Sequence, residues 1–369
     1  MLIAFKFKGK VENEMKKTII FTGGGSAGHV TPNIPLIQYF QQQNWQVGYI
    51  GSEAGIERNL IEPLNVPYYP IATGKLRRYF SWQNFLDPFR VLWGVVQAFQ
   101  HLRKLKPDVV FSKGGFVAFP VVFAAWVLRI PVVAHESDLT PGLANRLSFP
   151  LVKTICVTFE AGAQYFKNSE KVQVTGTPLR DELFQGDAAE GRRIAELTTD
   201  KPCLLFIGGG SGSGVINKAL REALPSLLSH YQIIHICGPG KLLPELKQAG
   251  YFQLEYALSE LPHLYACADV VISRSGANSV YEILALKKPH IFIPLSMQAS
   301  RGDQIHNANY FAKQGLSRVI DEEQLTPARL TTEIDACFNE LDAVKQRLSA
   351  CVIQSGTPSI AKILMASTR

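Results

Sequence analysis

Two short stretches of the chain share one pattern that constrains its architecture. Residues 19–28 (IIFTGGGSAG) and 204–213 (LLFIGGGSGS) each run from an apolar segment into three glycines and then small residues. A buried strand that leads through a glycine-rich turn into a helix N-terminus can bind phosphate. Glycine lets the backbone approach an anion, and free N–H groups stabilise its charge. Two such devices in two half-chains predict paired nucleotide-type domains that face a shared cleft.

Apolar runs alternate with helix-period segments along the chain. Strands are predicted at 18–22, 46–50, 108–111, 131–134, 153–157, 203–207, 231–236, 269–272, 289–293 and 317–320. Helical segments between them include 95–105, 117–128, 214–228, 276–286 and 303–313. The strands are rich in Val and Ile without polar alternation, which is typical of parallel strands covered on both faces. The pattern predicts an α/β protein with two Rossmann-like, doubly wound parallel-sheet domains facing a cleft.

A polar stretch between residues 176 and 200 separates the two halves, so we predict a domain boundary near Gly176–Arg180. Residues 1–14 are predicted to be a disordered extension. The first domain is then predicted at 15–178 and the second at 179–352. In the C-terminal segment, 353–369, a helix has no strand after it and could return to the first domain.

Composition and motifs exclude several classes of protein. With 369 residues, 46% hydrophobic and 19% charged, the chain has the composition of a two-domain soluble globular protein. No apolar run reaches the roughly 18 residues of a membrane span, and the N-terminus lacks the features of a secretory signal. The six cysteines form no C-x-x-C pair, which favours reduced thiols over disulfides or a zinc site. No D-x-D, H-E-x-x-H or carboxylate cluster suits a metal, so none is expected.

A basic and aromatic segment lies at 75–106. It holds seven Lys or Arg residues against one acid, with seven large aromatic residues among them. This mixture suits an anionic membrane surface, where the rings enter the interface and each cation contributes about 1 kcal/mol. The alternative is an amphipathic core helix with a solvated basic face; a nucleic-acid patch is disfavoured because no such motif accompanies it. The candidate membrane and acceptor residues are Lys75, Arg77, Arg78, Phe80, Trp82 and Phe85.

The first glycine loop, Gly23–Gly28, formally matches G-x-G-x-x-G, which is a weak signal by itself. A dinucleotide site would place an acid about 20 residues further on, and Glu53 is the nearest candidate, so an NAD-dependent oxidoreductase is a rival. His29 follows the glycines where a helix should begin. The helix dipole favours a neutral imidazole that can accept a proton. A histidine that only caps or packs is the alternative.

Other candidate residues follow predicted strands, where parallel sheets place their ligands. His135–Asp138 end the strand at 131–134 and could orient a sugar hydroxyl or assist proton transfer. Thr140 and Pro141 then predict a helix start. Glu282 points off the apolar face of its helix and could accept hydrogen bonds from both hydroxyls of a ribose. A polar loop or a solvated acid is the alternative in each case.

Six motifs resemble, in order and spacing, those of the MurG family. These are the membrane-associated UDP-N-acetylglucosamine:N-acetylmuramyl-(pentapeptide) pyrophosphoryl-undecaprenol N-acetylglucosaminyltransferases of peptidoglycan synthesis. The motifs are GGGSAGHVTPNIPL, SKGGFVAFPVVFAAW, IPVVAHESDLTPGLANR, VTGTPLR, GGGSGSGVIN and ADVVISRSGANSVYEILAL. The resemblance implies a GT-B glycosyltransferase fold. It also implies inverting transfer of N-acetylglucosamine from UDP-GlcNAc to the 4-hydroxyl of MurNAc in lipid I (undecaprenyl-pyrophosphoryl-MurNAc-pentapeptide), giving lipid II.

The resemblance further implies that no metal or other cofactor is needed. It places the protein peripherally on the cytoplasmic side of the cell membrane, with anionic lipids and not nucleic acid as partners. His29 is implied as the base, with Glu136 as the second catalytic candidate. The implied donor-binding residues are Ser26, Ala27, Gly28, Asp138, Arg180, Gly210, Ser211, Leu258, Ala277, Asn278, Ser279, Val280, Tyr281, Glu282 and Gln304.

Several positions depart from the common family pattern. Asp138 replaces an amide, Thr177 replaces Asn, Ala27 replaces Gly, and the serine of the second glycine loop is displaced by one residue to Ser211. A UDP-sugar epimerase or a glycolipid glycosyltransferase on the same scaffold therefore stays open, as does a catalytically silent membrane-bound sugar-nucleotide binding protein. The second glycine loop and RSGANSVYE disfavour the oxidoreductase.

Overall fold

The structure is a computed structural model that describes residues 16–74, 83–166, 169–198 and 200–369. The predicted extension at 1–14 lies outside the described residues. So do the membrane candidates Lys75, Arg77, Arg78, Phe80 and Trp82, and so does the side chain of Phe85.

The first sheet, as far as the chain is described, has seven strands, all paired in parallel in the order β3-β2-β1-β4-β5-β6-β7. The strands are β1 (Thr18–Thr22), β2 (Gln46–Ser52), β3 (Tyr68–Ile71), β4 (Val109–Ser112), β5 (Val132–Glu136), β6 (Thr154–Val157) and β7 (Val172–Val174). The α-helices between them are α1 (Asn33–Gln42), α2 (Glu57–Ile61), α3 (Gln83–Leu105), α4 (Ala118–Val127) and α5 (Leu143–Ser148).

The second sheet repeats this design with six described strands, again all parallel, in the order β10-β9-β8-β11-β12-β13. Its strands are β8 (Cys203–Ile207), β9 (Gln232–Ile236), β10 (Tyr251–Leu254), β11 (Val270–Ser273), β12 (His290–Phe292) and β13 (Arg318–Val319). The helices are α6 (Ala188–Ile194), α7 (Gly214–His230), α8 (Leu261–Cys267), α9 (Ala277–Ala285), α10 (Asp303–Ala312), α11 (Pro327–Asn339), α12 (Leu341–Ala350) and α13 (Thr357–Ser367).

The predicted fold class is confirmed, and all ten predicted strands are present with ends within two residues of those expected. Three strands were not expected: β3, β7 and β10, each at a sheet edge. Helix α3 is also longer than expected, since it begins at Gln83 and includes Pro88. We call β1–β7 with α1–α5 and α13 the first lobe, and β8–β13 with α6–α12 the second lobe.

Each sheet has a hydrophobic cluster on both faces. In β1, Ile19 and Phe21 enter one cluster of the first lobe and Ile20 enters the other, because successive strand residues point to opposite faces. In β8, Leu204 and Leu205 divide between the two clusters of the second lobe in the same way. Double coverage explains why these strands are apolar throughout.

The chain passes between the lobes at two places that lie side by side. The peptide N–H of Gly356 donates to the carbonyl oxygen of Thr177 at 2.8 Å, and that of Leu179 donates to Ser355 Oγ at 3.0 Å. After the second passage, α13 packs on the first sheet beside α1, with Ile360 fully buried. The last helix is thus built into the core of the first lobe.

No helix of the described ranges is long and apolar enough to cross a membrane.

The burial of α13 gives a stability prediction. Leu364 is fully buried in the first-lobe cluster, so Leu364→Ala should lower the free energy of unfolding by about 2–4 kcal/mol through lost contacts and the cavity left behind. Urea unfolding followed by circular dichroism measures this. The matched change on the exposed face of the same helix, Lys362→Ala, should stay within about 0.5 kcal/mol. Equal effects of the two variants would contradict a core role for α13.

Candidate functional site

Loops at the carboxyl ends of the two sheets meet across a cleft. The Asn278 side chain, in the first turn of α9, donates from Nδ2 to the carbonyl oxygen of Gly28 at 2.9 Å. A methyl group added at Gly210 would lie 3.8 Å from the Ala27 Cβ, so the two glycine loops face each other. Ligands of open parallel sheets bind at this edge, which makes the cleft the candidate site.

The first glycine loop is held by its own lobe. A methyl group at Gly24 would lie 1.9 Å from Glu57 Oε1, and one at Gly25 would lie 2.2 Å from the Phe116 ring. The Gly25 N–H also donates to Glu57 Oε1 at 2.7 Å. The sequence interpretation assigned these glycines to the approach of an anion. The structure gives a different reason at these two positions, since neighbouring side chains fill the space and an internal carboxylate takes one N–H group.

In the second glycine loop, Gly208–Gly212, the space beside Gly209 is empty, whereas side chains occupy the space beside Gly24 and Gly25 in the first loop. A methyl group added at Gly209, Gly214 or Gly276 would have no neighbour within 4 Å. Gly214 begins α7 and Gly276 is the N-cap of α9, so the backbone is unobstructed at both helix N-termini. Ser213 is the N-cap of α7, and its Oγ accepts from the Ile216 N–H. The second lobe therefore offers the stronger anion site of the two.

His29 lies in a single turn of 3-10 helix, Ala27–His29, and is half-buried at the cleft. Its Nδ1 is 2.9 Å from Ser26 Oγ. Burial, followed by the positive charges of Lys113 and Arg301, lowers the His29 pKa from 6.5 to about 4, although Asp303 acts in the opposite direction. The imidazole is neutral at neutral pH, and burial is the largest cause.

Glu136 stabilises the loop after β5. Its buried carboxylate accepts hydrogen bonds from the Asp138 N–H at 3.1 Å, the Gly142 N–H at 3.2 Å and Asn145 Nδ2 at 2.8 Å. Burial and the nearby Asp138 charge raise the Glu136 pKa. The helix start expected at Thr140 and Pro141 is wrong: α5 begins at Leu143 with Gly142 as its N-cap.

His135 is fully buried, and its Nε2 lies 2.9 Å from the Gly176 carbonyl oxygen, to which it donates a hydrogen bond. Burial holds the pKa of His135 well below its usual value. This contact connects the end of β5 to the first passage between the lobes. His135 therefore holds the interlobe segment.

Asp138 forms a charged contact between the lobes. Its Oδ2 is 2.8 Å from the Arg301 guanidinium, and its Oδ1 accepts from Asn307 Nδ2 at 3.1 Å. Both partners belong to the second lobe, Arg301 in the loop before α10 and Asn307 within α10. The side chains of Arg301 and Asp138 are 30% and 19% exposed, so the ion pair is partly shielded from water.

Two family models match the chain. The N-terminal domain of glycosyltransferase family 28 matches residues 19–157, and the C-terminal domain of the same family matches residues 203–364. The chain belongs to glycosyltransferase family 28. The first match contains strands β1–β6 of the first lobe, and the second contains all six strands of the second lobe together with most of α13.

Curated family 28 relatives match nearly the whole chain. The UDP-N-acetylglucosamine–N-acetylmuramyl-(pentapeptide) pyrophosphoryl-undecaprenol N-acetylglucosamine transferase of Legionella pneumophila (strain Paris) is 54% identical over 95% of this chain and 97% of its own length. The Clostridium kluyveri protein of the same name is 50% identical over 94% and 99%. Among solved structures, Acinetobacter baumannii MurG superposes with a TM-score of 0.75 at 26% identity, covering 95% of this chain and all of that chain. The resemblance to the MurG family is confirmed.

The family 28 donor residues predicted on α9 divide into two groups. Ala277, Asn278 and Ser279 form its first turn at the cleft. Val280 is fully buried, and Tyr281 packs toward the second interlobe passage, where its hydroxyl donates to the Gln354 carbonyl oxygen at 3.1 Å. The side chains of these last two residues therefore serve packing.

Five further predicted donor residues belong to the second lobe. Glu282 is half-buried, and burial raises its pKa while the positive charge of Arg180 opposes the shift. Gln304 Oε1 accepts from the Leu295 N–H at 3.1 Å. Leu258 is 63% exposed. Gly210 and Ser211 are both exposed on the second glycine loop.

Three residues that sequence reasoning missed contribute to the site: Glu57, Lys113 and Arg301. Glu57 and Arg301 are ordinary charged residues in the sequence, and only the fold brings them to the glycine loop and to Asp138. Lys113 carried a weak signal, because it stands between a buried strand and Gly114-Gly115, where a charged residue is unusual. In the described ranges, no group of three or more His, Cys, Asp and Glu side chains is placed to hold a metal ion.

The Asp138–Arg301 ion pair gives a prediction on how the lobes hold together. Asp138→Asn removes the charge attraction across the cleft, so we expect the radius of gyration of the unliganded protein to rise in small-angle X-ray scattering. We also expect the free energy of unfolding to fall by about 1 kcal/mol, as for a partly exposed pair. Arg318→Gln is the control, since it removes ion pairs with Glu333 at 3.0 Å and Glu340 at 3.2 Å, both within the second lobe. An equal change in radius for both variants would contradict the interlobe role.

Proposed function

We propose that this protein transfers N-acetylglucosamine from UDP-GlcNAc to the 4-hydroxyl of MurNAc in lipid I and releases UDP and lipid II, with inversion at the anomeric carbon. The observation that carries this is the match to relatives of one enzymatic name at 54% identity over 95% of the chain, both lobes included. A match of this length includes both sides of the cleft. The proposed reaction needs both, because the base is assigned to the first lobe and donor binding to the second.

The chemistry proposed at the cleft is a direct displacement. The acceptor oxygen bonds to the anomeric carbon while the bond from that carbon to the β-phosphate oxygen of UDP breaks. The proton of the acceptor hydroxyl goes to His29. Since Nδ1 of His29 faces Ser26 Oγ at 2.9 Å, base catalysis requires the tautomer in which Nδ1–H donates to Ser26 and Nε2 is free to accept.

Glu136 is the second candidate for the base, and its contacts favour a supporting role. Its two carboxylate oxygens accept three hydrogen bonds from its own loop, which orients them away from a free substrate proton. His29, by contrast, is neutral and half-buried at the meeting point of the lobes. We therefore assign the proton transfer to His29 and the shape of the Ser137–Asp138 segment to Glu136.

Stabilisation of the departing diphosphate is assigned to the second lobe. The open space before α7 and α9 lies beside two helix N-termini and the exposed residues Gly210 and Ser211. Backbone N–H groups there and the Arg180 guanidinium supply positive charge where the leaving group develops its negative charge. Glu282, one turn further along α9, is assigned to the ribose hydroxyls. The proposal requires no metal ion.

The proposed reaction is tested by incubating the protein with labelled UDP-GlcNAc and a lipid I analogue in the presence of EDTA. We expect label in a disaccharide lipid product of inverted anomeric configuration. Label found in an epimerised UDP-sugar would identify an epimerase, and label in neither product, with UDP-GlcNAc still bound, would identify a silent binding protein.

Replacing the base tests the mechanism. We expect His29→Ala to lower kcat by roughly 10²–10⁴-fold, because the acceptor hydroxyl then loses its proton acceptor. The affinity for UDP, measured by calorimetry, should stay nearly unchanged, since His29 belongs to the first lobe. His230→Ala, at an exposed histidine at the end of α7, is the control. Wild-type turnover in His29→Ala would move the base to Glu136.

Membrane attachment is a second part of the proposal, since the acceptor is a lipid. Helices α3 and α4 pack together and expose several large apolar residues. Contiguous apolar patches of this kind are uncommon on the surface of soluble proteins. Exposed cations at Arg90, Arg103, Lys104 and Arg129 lie on or beside these helices. We propose that this α3–α4 face binds the anionic cytoplasmic surface of the cell membrane. Its exposed apolar residues are Phe89, Leu92, Trp93, Val96, Trp126 and Val127.

Vesicle binding tests the α3–α4 face. Phe89→Ser with Trp93→Ser should lower partitioning onto phosphatidylglycerol vesicles by about tenfold or more, because two rings no longer enter the interface. Turnover of a water-soluble acceptor should not change. Phe184→Ser removes a ring that is 50% exposed from the 3-10 helix Asp181–Gln185, which packs against α8 of the second lobe, and it should leave partitioning unchanged. Equal partitioning of all three proteins would contradict this assignment.

A further inference from the structure

Lys113 is a buried cation under the first glycine loop. It follows β4 directly, and only 1% of its surface is exposed. Its backbone N–H donates to the Thr22 carbonyl oxygen at 2.8 Å, and a methyl group at Gly23 would lie 3.0 Å from its Cβ. Burying a lysine is unfavourable by several kcal/mol unless its charge is compensated, so a residue of this kind at a ligand-binding edge calls for a reason.

The Lys113 ammonium group is the first member of a hydrogen-bond chain across the cleft. Its Nζ donates to Ser137 Oγ. Ser137 Oγ donates to Asn278 Oδ1 at 3.5 Å, and Asn278 Nδ2 donates to the Gly28 carbonyl oxygen at 2.9 Å. This series of hydrogen bonds starts in the first lobe at Lys113 and crosses to Asn278 in the first turn of α9. It then returns to the first lobe at Gly28, the residue before His29.

Lysine fixes the direction of this chain. An ammonium group has three donors and no acceptor, so Ser137 Oγ must accept from it and has its own proton left for Asn278. Asn278 then presents Oδ1 to Ser137 and Nδ2 to Gly28, and the amide has one orientation only. A side chain at position 113 that could accept a hydrogen bond would not fix which of these groups donates and which accepts. The Glu136 and Asp138 carboxylates compensate the charge, and the Lys113 pKa, lowered by burial to about 8, leaves it positively charged at neutral pH.

We propose that Lys113 is a positioning residue of the transferase, which through Ser137 and Asn278 fixes the donor-side helix α9 against the Ala27–His29 turn. The proposal rests on the proposed function for its turnover readouts. A gap of 1 Å between a base and its substrate can reduce turnover about 100-fold, so a side chain that sets the spacing between the lobes can matter without touching substrate.

The experiment compares Lys113→Met, Ser137→Ala, the double variant, and Lys153→Met as a control at an exposed lysine of the same lobe. We expect Lys113→Met and Ser137→Ala each to lower kcat roughly 10- to 100-fold, with the KM for UDP-GlcNAc changed less than about threefold. Because both act through one chain, the double variant should be about as impaired as the worse single variant. Lys153→Met should behave as wild type.

A pH profile separates the charge of Lys113 from its hydrogen bond. Among the described residues, the charges that act on His29 are those of Lys113, Arg301 and Asp303. Loss of the Lys113 cation raises the His29 pKa, so the acid limb of kcat/KM should move up by roughly one pH unit in Lys113→Met. Ser137→Ala keeps the cation and should keep the acid limb in place. If the substitutions only disturbed the local structure, kcat/KM would fall at all pH values and its acid limb would stay at the same pH in both variants.

Hydrogen exchange gives a readout that does not depend on turnover. In Lys113→Met and Ser137→Ala, the amides of the Ala27–His29 turn and of the first turn of α9 should exchange faster than in wild type, with other regions unchanged. Ser137→Ala removes one hydroxyl from a half-buried side chain, so it serves if Lys113→Met does not fold. If the wild-type protein itself fails to transfer the sugar, the proposed function is wrong, and that result is separate from the test of Lys113. Two results would overturn the role of Lys113. One is a Ser137→Ala variant with unchanged amide exchange and a kcat within about twofold of wild type. The other is a double variant in which the two single reductions in kcat multiply.

Discussion

Parallel pairing is the constraint on which the rest of the structure depends. Because the paired strands in each sheet run the same way, their carboxyl ends form a single edge in each lobe, and the two edges face each other. The first glycine loop, Ser137–Asp138, the second glycine loop and the first turn of α9 all extend from these edges. Residues far apart in the chain, such as Gly28 and Asn278, come into contact for this reason.

Buried and partly buried charges surround His29 at the cleft. Lys113 and Arg301 carry positive charge next to His29, and Glu136 and Asp138 carry the compensating negative charge. Such an arrangement contributes little net stability, since desolvation offsets most of the attraction. What it provides is a neutral imidazole and a defined orientation for each polar group. The Asp138 departure from the family pattern fits here, because a carboxylate pairs with Arg301 where an amide would carry no charge.

The sequence identified what local patterns encode. Val- and Ile-rich runs followed by glycines mark the central strands, and all of those predicted are present. The three unexpected strands are short edge strands of mixed polarity. β3 contains Pro70 and β7 contains the exposed Gln173, so neither shows the pattern of a doubly covered strand. Edge strands are defined by the partner they pair with, which a local pattern does not contain.

For the site, the positions were predictable but several reasons were not. The glycines at Gly24 and Gly25 were read as space for an anion, whereas Glu57 and Phe116 fill that space. The helix start at Thr140 and Pro141 had the correct residue types, yet Glu136 takes the Gly142 N–H and the helix begins later. In both places a carboxylate takes a backbone N–H group: Glu57, 32 residues away, at Gly25, and Glu136, six residues away, at Gly142. Ion pairs across the cleft, such as Asp138–Arg301, have no sequence signal at all.

The doubled passage of the chain between the lobes restricts how they can move. A single linker would allow one lobe to twist and slide over the other. Here two adjacent strands of backbone, tied together by the Gly356–Thr177 and Leu179–Ser355 hydrogen bonds, act like a pair of hinge pins. We expect the lobes to rotate about this double passage more readily than they slide past each other, so that opening separates the facing glycine loops and closing brings the same residues opposite one another again.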